Sequence, residues 1–532
     1  EIDRNTFYIQ DDYMLSDRLN LTFGLRYDEL STSDAPTEIP KFVEVYGFSN
    51  TATLDGIDLL QPRFSADLAI DDVSSLNFSM GRYMGRNPMV WVSNSYNYGA
   101  NPLFNERTDR NCSGLAVQGS LDPCVVASFD NFDASEIMGD MDFIAPDLEA
   151  PFDDRYSLVY KTLVDMTPIG LGPNWDLTAS YIRINKRKEF VTRKISGVGA
   201  PNGFYPGTPS ERYPDGKVVH QDSGYYGGIY PNNYVFGLYT QGAGSKAENI
   251  TLELAKYFDN DIDLYFAYNG NDATELSPLT SSRAASNTPN NVWTGNQFNY
   301  PVSKRSIYET EHKFVLSLII NRNHFANLNT SYGFTFTRKS GNPYSWTFDA
   351  GRSEPWDGYR NNSFGLEYDL NRRNSGLLYI PTADDPNVCY GSCENPDDAF
   401  KAQFLDVIAA LGLSDYAGSV VPAGTHTHNW VTTSTFQIRQ ELPGLYEGHS
   451  GEIYFTMNNF LNFLNDEWGR VDYGMYNGIR PLVRFTTTDD LSKYIYTGFS
   501  SDSFDPDNPD GAWRTSGYQS VWRARIGFKY RF

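Results

Sequence analysis

The final stretch of the chain, Val521 to Phe532, alternates with period two. Even positions carry Trp522, Ala524, Ile526, Phe528, Tyr530 and Phe532, and odd positions carry Arg523, Arg525, Gly527, Lys529 and Arg531. Successive side chains of an extended chain point to opposite faces, so the pattern predicts a strand with one greasy and one cationic face. A half-buried strand of a soluble sandwich alternates too. Its apolar face, however, favours Val, Ile and Leu over rings, and its polar face usually mixes signs.

Hairpins with the same alternation run through the chain. Asn5 to Met14 and Leu19 to Asp28 flank Ser16-Asp17-Arg18, and Arg63 to Ile70 and Ser75 to Met84 flank Asp71-Asp72. Arg155 to Val164 and Trp175 to Arg183 flank a turn with Pro168, Gly170 and Gly172. Glu248 to Tyr257 and Ile262 to Tyr268 flank Asp259-Asn260-Asp261, and Lys313 to Ile320 and Leu328 to Thr337 flank Asn321 to Asn323. A last pair, Thr432 to Arg439 and Glu452 to about Asn462, is joined through Pro443-Gly444. Long segments separate the hairpins, at 85–151, 194–245, 275–306 and 340–428. A sandwich distributes loop lengths over both ends, whereas membrane barrels keep short turns on the periplasmic side and long loops outside. Rings at both ends of the apolar face match the interfacial girdles of such barrels.

Composition agrees with this reading. The chain of 532 residues holds 37 Tyr and 34 Phe, yet its mean hydropathy is −0.48. Only alternate residues of a spanning strand need be apolar, and polar loops lower the average. No run approaches the roughly 18 apolar residues of a membrane helix; Phe314 to Ile320 is short and broken by Ser317. A net charge of −23 argues against a nucleic-acid partner, because no basic surface dominates.

Little in the sequence points to catalysis. It has no G-x-S-x-G, no H-E-x-x-H, no phosphate loop and only six histidines. His426 and His428 would share a side if extended, but two ligands do not close a metal site. Asp130, Asp133, Glu136, Asp140 and Asp142 crowd one loop, and Asp505, Asp507, Asn508 and Asp510 precede Gly511 in another. Oxygen ligands at that density hold Ca²⁺, so Asp505, Asp507 and Asp510 are weak calcium candidates, but the regular calcium-loop spacing is missing. Solvated acidic loops are the simpler reading. Cys112 with Cys124, and Cys389 with Cys393, lie in polar segments with no His at ligand spacing, which predicts two loop disulfides in an oxidising compartment. Between them the least strand-like region, 340–428, contains Asn395-Pro396-Asp397-Asp398 and then Phe400, Phe404, Val407, Ile408 and Leu411. That spacing predicts a short amphipathic helix near 397–411, packed on neighbouring loops.

Several stretches together resemble the C-terminal part of a TonB-dependent outer-membrane receptor, most closely its Oar-like branch. They are Phe7-Tyr8-Ile9-Gln10-Asp11-Asp12 with Gly24-Leu25-Arg26-Tyr27-Asp28, Pro62-Arg63-Phe64-Ser65, Ser340-Gly341-Asn342-Pro343-Tyr344, the run Asn458 to Gly469, and Gly527 to Phe532. The last strand also resembles the terminal signature read by the outer-membrane assembly machinery, carried here by Trp522, Ile526, Phe528, Tyr530 and Phe532. The resemblance implies a barrel of about 22 strands closed by a plug, and uptake of an unidentified ligand energised through the TonB complex. Neither plug nor TonB box is present in this sequence; the plug and about nine strands are expected upstream of Glu1, with about 13 strands of the barrel here.

The expected location is therefore the bacterial outer membrane, with the C-terminus periplasmic and the long loops extracellular, in contact with membrane lipid and lipopolysaccharide. A structural or secretion-related barrel, binding a protein or surface polymer through its loops, is the alternative. No enzyme activity and no cofactor is expected, calcium apart. Arg523, Arg525, Lys529 and Arg531 are expected to face the lumen and to pair with inward carboxylates of neighbouring strands or with the plug.

Overall fold

A computed structural model describes residues 1–85, 89–96, 141–195, 212–217, 235–242, 244–282, 287, 291–295, 299–349, 376–473, 478–488, 490–500, 504–509 and 514–532. Thirteen strands follow one another across its main sheet. They are β1 (Ile2–Ser16), β2 (Leu19–Thr32), β3 (Asp58–Ala69), β4 (Ser75–Met84), β5 (Phe152–Val164), β6 (Trp175–Lys194), β7 (Lys246–Phe258), β8 (Ile262–Glu275), β9 (His312–Asn323), β10 (Asn329–Lys339), β11 (Val431–Pro443), β12 (Ser450–Asn458) and β13 (Arg523–Arg531). Every neighbour in the sheet is the next of these strands along the chain, and every pairing between them is antiparallel. The fold class is all-β, an up-and-down meander of barrel type.

Six short connections lie at one end of this sheet and six long ones at the other. Local chemistry closes the short ones. Between β3 and β4 the Asp71 carboxylate accepts from the amides of Val73 (2.9 Å) and Ser74 (2.8 Å), an Asx turn. At the β7–β8 turn Asp261 takes the left-handed conformation, φ 57°. Among the described residues, β1 pairs only with β2 and β13 only with β12, so the sheet has two open edges.

The long connections do not remain irregular. A second, five-stranded sheet runs in the order Val388–Tyr390, Tyr494–Phe499, Ile479–Thr487, Pro343–Asp349, His426–Thr427. Two of its pairings are parallel. Trp346, Phe348, Leu482, Val483, Tyr494 and Tyr496 are buried in its core. The helix Asp398–Ala410 covers that core with Phe404, Val407 and Ile408, its first turn capped by Asp397, whose side chain accepts from the Phe400 amide at 2.9 Å. This is the helix expected near 397–411. The Cys389–Cys393 disulfide is formed beside it; Cys112 and Cys124 lie outside the described residues.

Two expectations need correcting. The region 340–428 supplies three strands to the second sheet, Pro343–Asp349, Val388–Tyr390 and His426–Thr427, the first because its Phe348 packs against Phe485, Tyr494 and Tyr496 of the remote segments 479–487 and 494–499. The strand from Glu452 stops at Asn458, where Asn459 turns left-handed at φ 54° and the helix Phe460–Leu464 begins. A third small unit pairs Met141–Ile144 in parallel with Val235–Gly242, which hydrogen-bonds to the far half of β6. There Gly237 is required: a Cβ would lie 2.4 Å from the Phe143 ring.

Candidate functional site

Register decides which side chains share a face of the main sheet. Crossing from β1 to β13, Phe23 stands opposite Phe64, Phe78 opposite Leu158, Leu177 opposite Leu254, Phe266 opposite Leu316, Phe334 opposite Phe436 and Phe455 opposite Ile526. All of these fall on one face. They are not core: Phe23 is 50% exposed, Leu158 42%, Leu316 37% and Ile526 73%. The chain thus presents a continuous apolar band to its surroundings, and contiguous exposed apolar surface of this kind marks a contact face.

The opposite face is polar. Thr22, Ser65, Ser79 and Ser157 form one cross-strand row, and Ser317, Thr335 and Thr435 another. Near the open edge of β1, the buried Asp28 carboxylate accepts from Thr6 Oγ1 (2.7 Å), Arg26 Nε (3.0 Å) and Gln61 Nε2 (2.7 Å). Further along, the Arg63 and Arg155 guanidiniums lie over the Tyr83 ring, 4.6 and 4.7 Å from its centre. Such cation–π contacts hold two like charges near each other on the polar face.

On the apolar face, toward the long connections, the rings give way to charges. Arg82 and Arg187 meet Asp154 at 2.9 and 2.8 Å, while Lys246 bridges Glu248 (2.8 Å) and Asp272 (2.7 Å). An apolar band that ends in paired charges marks where this face leaves an apolar environment.

The terminal strand takes the expected register. Ile526 and Phe528 stand opposite Phe455 and Ile453 on the apolar face, and Arg525 and Lys529 opposite Thr456 and Glu452 on the polar face. Among the described residues, the expected pairs of Arg523, Arg525, Lys529 and Arg531 with carboxylates of neighbouring strands do not form. Instead the Arg525 guanidinium lies over Tyr454 (5.8 Å) and that of Arg523 over Tyr518 (3.9 Å). Tyr530 ties β13 to the last short turn: its hydroxyl accepts from the Leu445 amide at 3.0 Å and meets His449 Nδ1 at 2.9 Å. Phe532 is almost wholly exposed, and Trp522 packs edge-on against Phe463 at 5.4 Å.

The second sheet encloses buried polar groups of its own. Arg480 is buried between the rings of Trp346 (4.9 Å), Tyr344 (5.6 Å) and Phe504 (5.9 Å). His426 accepts from the Trp346 indole, and His428 packs against Tyr344 at 4.8 Å, so the two histidines serve an aromatic cluster instead of sharing a ligand position. Burial, and then the Arg480 charge, push the His428 pKa down. Lys304 joins the 276–311 connection to the end of β8, donating to Asn291 Oδ1 (2.6 Å) and the Leu276 carbonyl (3.1 Å). Burial lowers its pKa to about 8, against the pull of Glu275 and Glu189.

Among the described residues no three His, Cys, Asp or Glu side chains converge as metal ligands. The Asp505 carboxylate accepts from the Asp507 amide at 3.0 Å, a turn-closing contact, and Asp510 lies outside the described residues. So do Asp130, Asp133, Glu136 and Asp140. Sequence reasoning missed the charged belt, which needs the register between successive strands to be known, and the Arg480 cluster, whose members are brought together by pairing between remote strands.

No protein-family model matches the chain, and no curated protein matches it. Among solved structures it is similar to the outer membrane transporter YddB from Escherichia coli, with a TM-score of 0.42 and 11% identity over 94% of this chain and 44% of that chain. It is also similar to the siderophore receptor PirA from Acinetobacter baumannii (TM-score 0.39, 10% identity, 86% of this chain and 41% of that one). A further similar structure is the FrpB iron transporter from Neisseria meningitidis, F3-3 variant (TM-score 0.36, 10% identity, 87% and 41%). The chain spans less than half the length of each of these proteins.

Proposed function

We propose that the chain forms part of the wall and the outer loops of an outer-membrane uptake receptor energised through TonB. The observation that carries the membrane half of this reading is the exposed apolar band, continuous over thirteen strands and backed by a polar face. In water it would be an aggregation surface; in a bilayer it is the lipid contact. The uptake half rests on the motifs quoted above, which occur in the expected order along the chain. The polar face then lines the lumen, the short turns are periplasmic, and the long connections face outward. Strands beyond β1 and β13 complete the sheet, because unpaired backbone groups cost several kcal/mol each in hydrocarbon. The folded loop sheet supports a second reading, a barrel that binds a protein or surface polymer without importing it, since a prebuilt rigid surface suits either task.

Epistasis separates the two. A strain lacking the whole protein is compared, over a panel of scarce nutrients, with a strain lacking TonB and with the double deletion. Uptake requires a growth defect that the double deletion does not deepen. A defect that persists, undiminished and additive, in the absence of TonB overturns the energised reading in favour of the binding barrel.

A further inference from the structure

The run Asn458 to Gly469 is absorbed by neither the sheet nor the loop body. After β12 the chain reverses at the left-handed Asn459 and lays the helix Phe460–Leu464 back over the apolar face. Three contacts fix it there. The Phe460 ring packs on Phe436 (5.6 Å) and Phe334 (6.4 Å), and the Leu461 amide donates to Ser434 Oγ at 3.0 Å. All three partners stand on the apolar face.

Asparagines hold the rest of the run in shape. Asn462, itself buried, donates to the carbonyls of Trp468 (2.8 Å) and Asp466 (3.1 Å) and accepts from the Trp522 amide at 3.2 Å. Only a side-chain amide offers two donors and an acceptor in that compass. Asn459 Nδ2 donates to the Gly469 carbonyl at 2.9 Å, and a Cβ on Gly469 would meet Asn459 Oδ1 at 2.0 Å, so glycine is required. With these backbone groups tied inward, the large apolar side chains of the reversal are left exposed. Phe463 is 51% exposed, Leu464 56%, Trp468 51% and Trp522 45%.

A soluble loop gains nothing from exposing four such side chains on a braced frame. We propose that residues 459–469, with Trp522, form a membrane hook that seats these rings in the outer leaflet at the headgroup boundary. The occupant is lipid because the patch continues the apolar band at the end of β12 nearest the long connections. Trp also combines an apolar body with an indole N–H that suits the interface. This inference rests on the reading of that band as lipid-facing.

The test reconstitutes the whole protein in phosphatidylcholine vesicles doped with lipids brominated near the headgroup, and reads tryptophan quenching. The difference between wild type and Trp468→Tyr isolates Trp468; Leu158→Trp reports the apolar band far from the hook. Expected are a blue-shifted Trp468 component quenched by the shallow bromines, and loss of that quenching in Asn462→Ala with the Leu158→Trp signal unchanged. If Trp468 is instead quenched by aqueous acrylamide and not by bromolipid, while Leu158→Trp is quenched by bromolipid, the hook is wrong and the wall reading stands. If Leu158→Trp is not quenched by lipids brominated at any depth, the wall reading falls and the hook with it. Unchanged Trp468 quenching in Asn462→Ala overturns the asparagine brace.

Discussion

Alternation makes single positions sharply unequal. Ile526 and Arg525 are neighbours in β13, yet one faces the apolar band and the other the polar face. Ile526→Arg should cost about 2–4 kcal/mol where it meets the bilayer midplane, and Arg525→Gln much less. Denaturant midpoints of the protein in vesicles check this, and a negligible cost for Ile526→Arg with a gain for Arg525→Gln would mean that the faces are exchanged. Lys304 makes a different kind of prediction. Its folded pKa of about 8 lies below the ordinary 10.5, so between those values the unfolded chain binds the extra proton and stability rises with pH. Below about pH 8 the cost of holding the buried charge is present in full. The melting temperature of Lys304→Met minus that of wild type should therefore fall as pH is raised from 7 to 10.5. A flat difference would show that Lys304 keeps its ordinary pKa in the fold.

At the level of elements, what was legible in the sequence followed from local rules. Each arm of every hairpin announced itself by period two, and Asp397 with Phe404, Val407 and Ile408 announced the loop helix. All thirteen strands of the main sheet overlap the segments that the alternation marked, though the twelfth ends at Asn458 and not near Asn462, and the two faces of the last strand are those expected. The second sheet was hidden because its strands are short, lack alternation, and pair in parallel across the intervening hairpin β11–β12. Nothing in Pro343–Asp349 alone says that Ile479–Thr487 is its partner. The Asn458 to Gly469 run was misread at its start for a related reason: Phe460, Leu461 and Phe463 look like strand residues until Asn459 reverses the chain. Phe404→Ala should remove about 3–5 kcal/mol from the loop body and Asp397→Ala about 1 kcal/mol. Proteolysis of the 376–430 region would then quicken while the main sheet stays resistant; cleavage of both together would mean that the two sheets unfold as one.

For the whole molecule, the open edges predict a measurable asymmetry. Edge-facing amides of β1 and β13 should exchange hydrogen rapidly in this chain on its own, and on the proposed reading become protected once further strands pair with them, whereas amides of β8 are slow in both cases. Protection of β1 and β13 in the isolated chain would mean that the two edges pair and close a smaller barrel. The meander carries one more consequence. Since every strand of the main sheet pairs with the next one made, six of its twelve pairings close over short turns, and each finished hairpin can then join the last. The loop sheet obeys the opposite rule, because Pro343–Asp349 must wait for Ile479–Thr487 across β11 and β12. Assembly therefore has an order written into its topology: the spanning sheet can be nearly finished before the surface that faces the outside world exists. Refolding into vesicles should show strand circular dichroism rising ahead of the near-ultraviolet signal of the buried Trp346. On the uptake reading proposed above, the surface that binds would therefore exist only after the wall is in place.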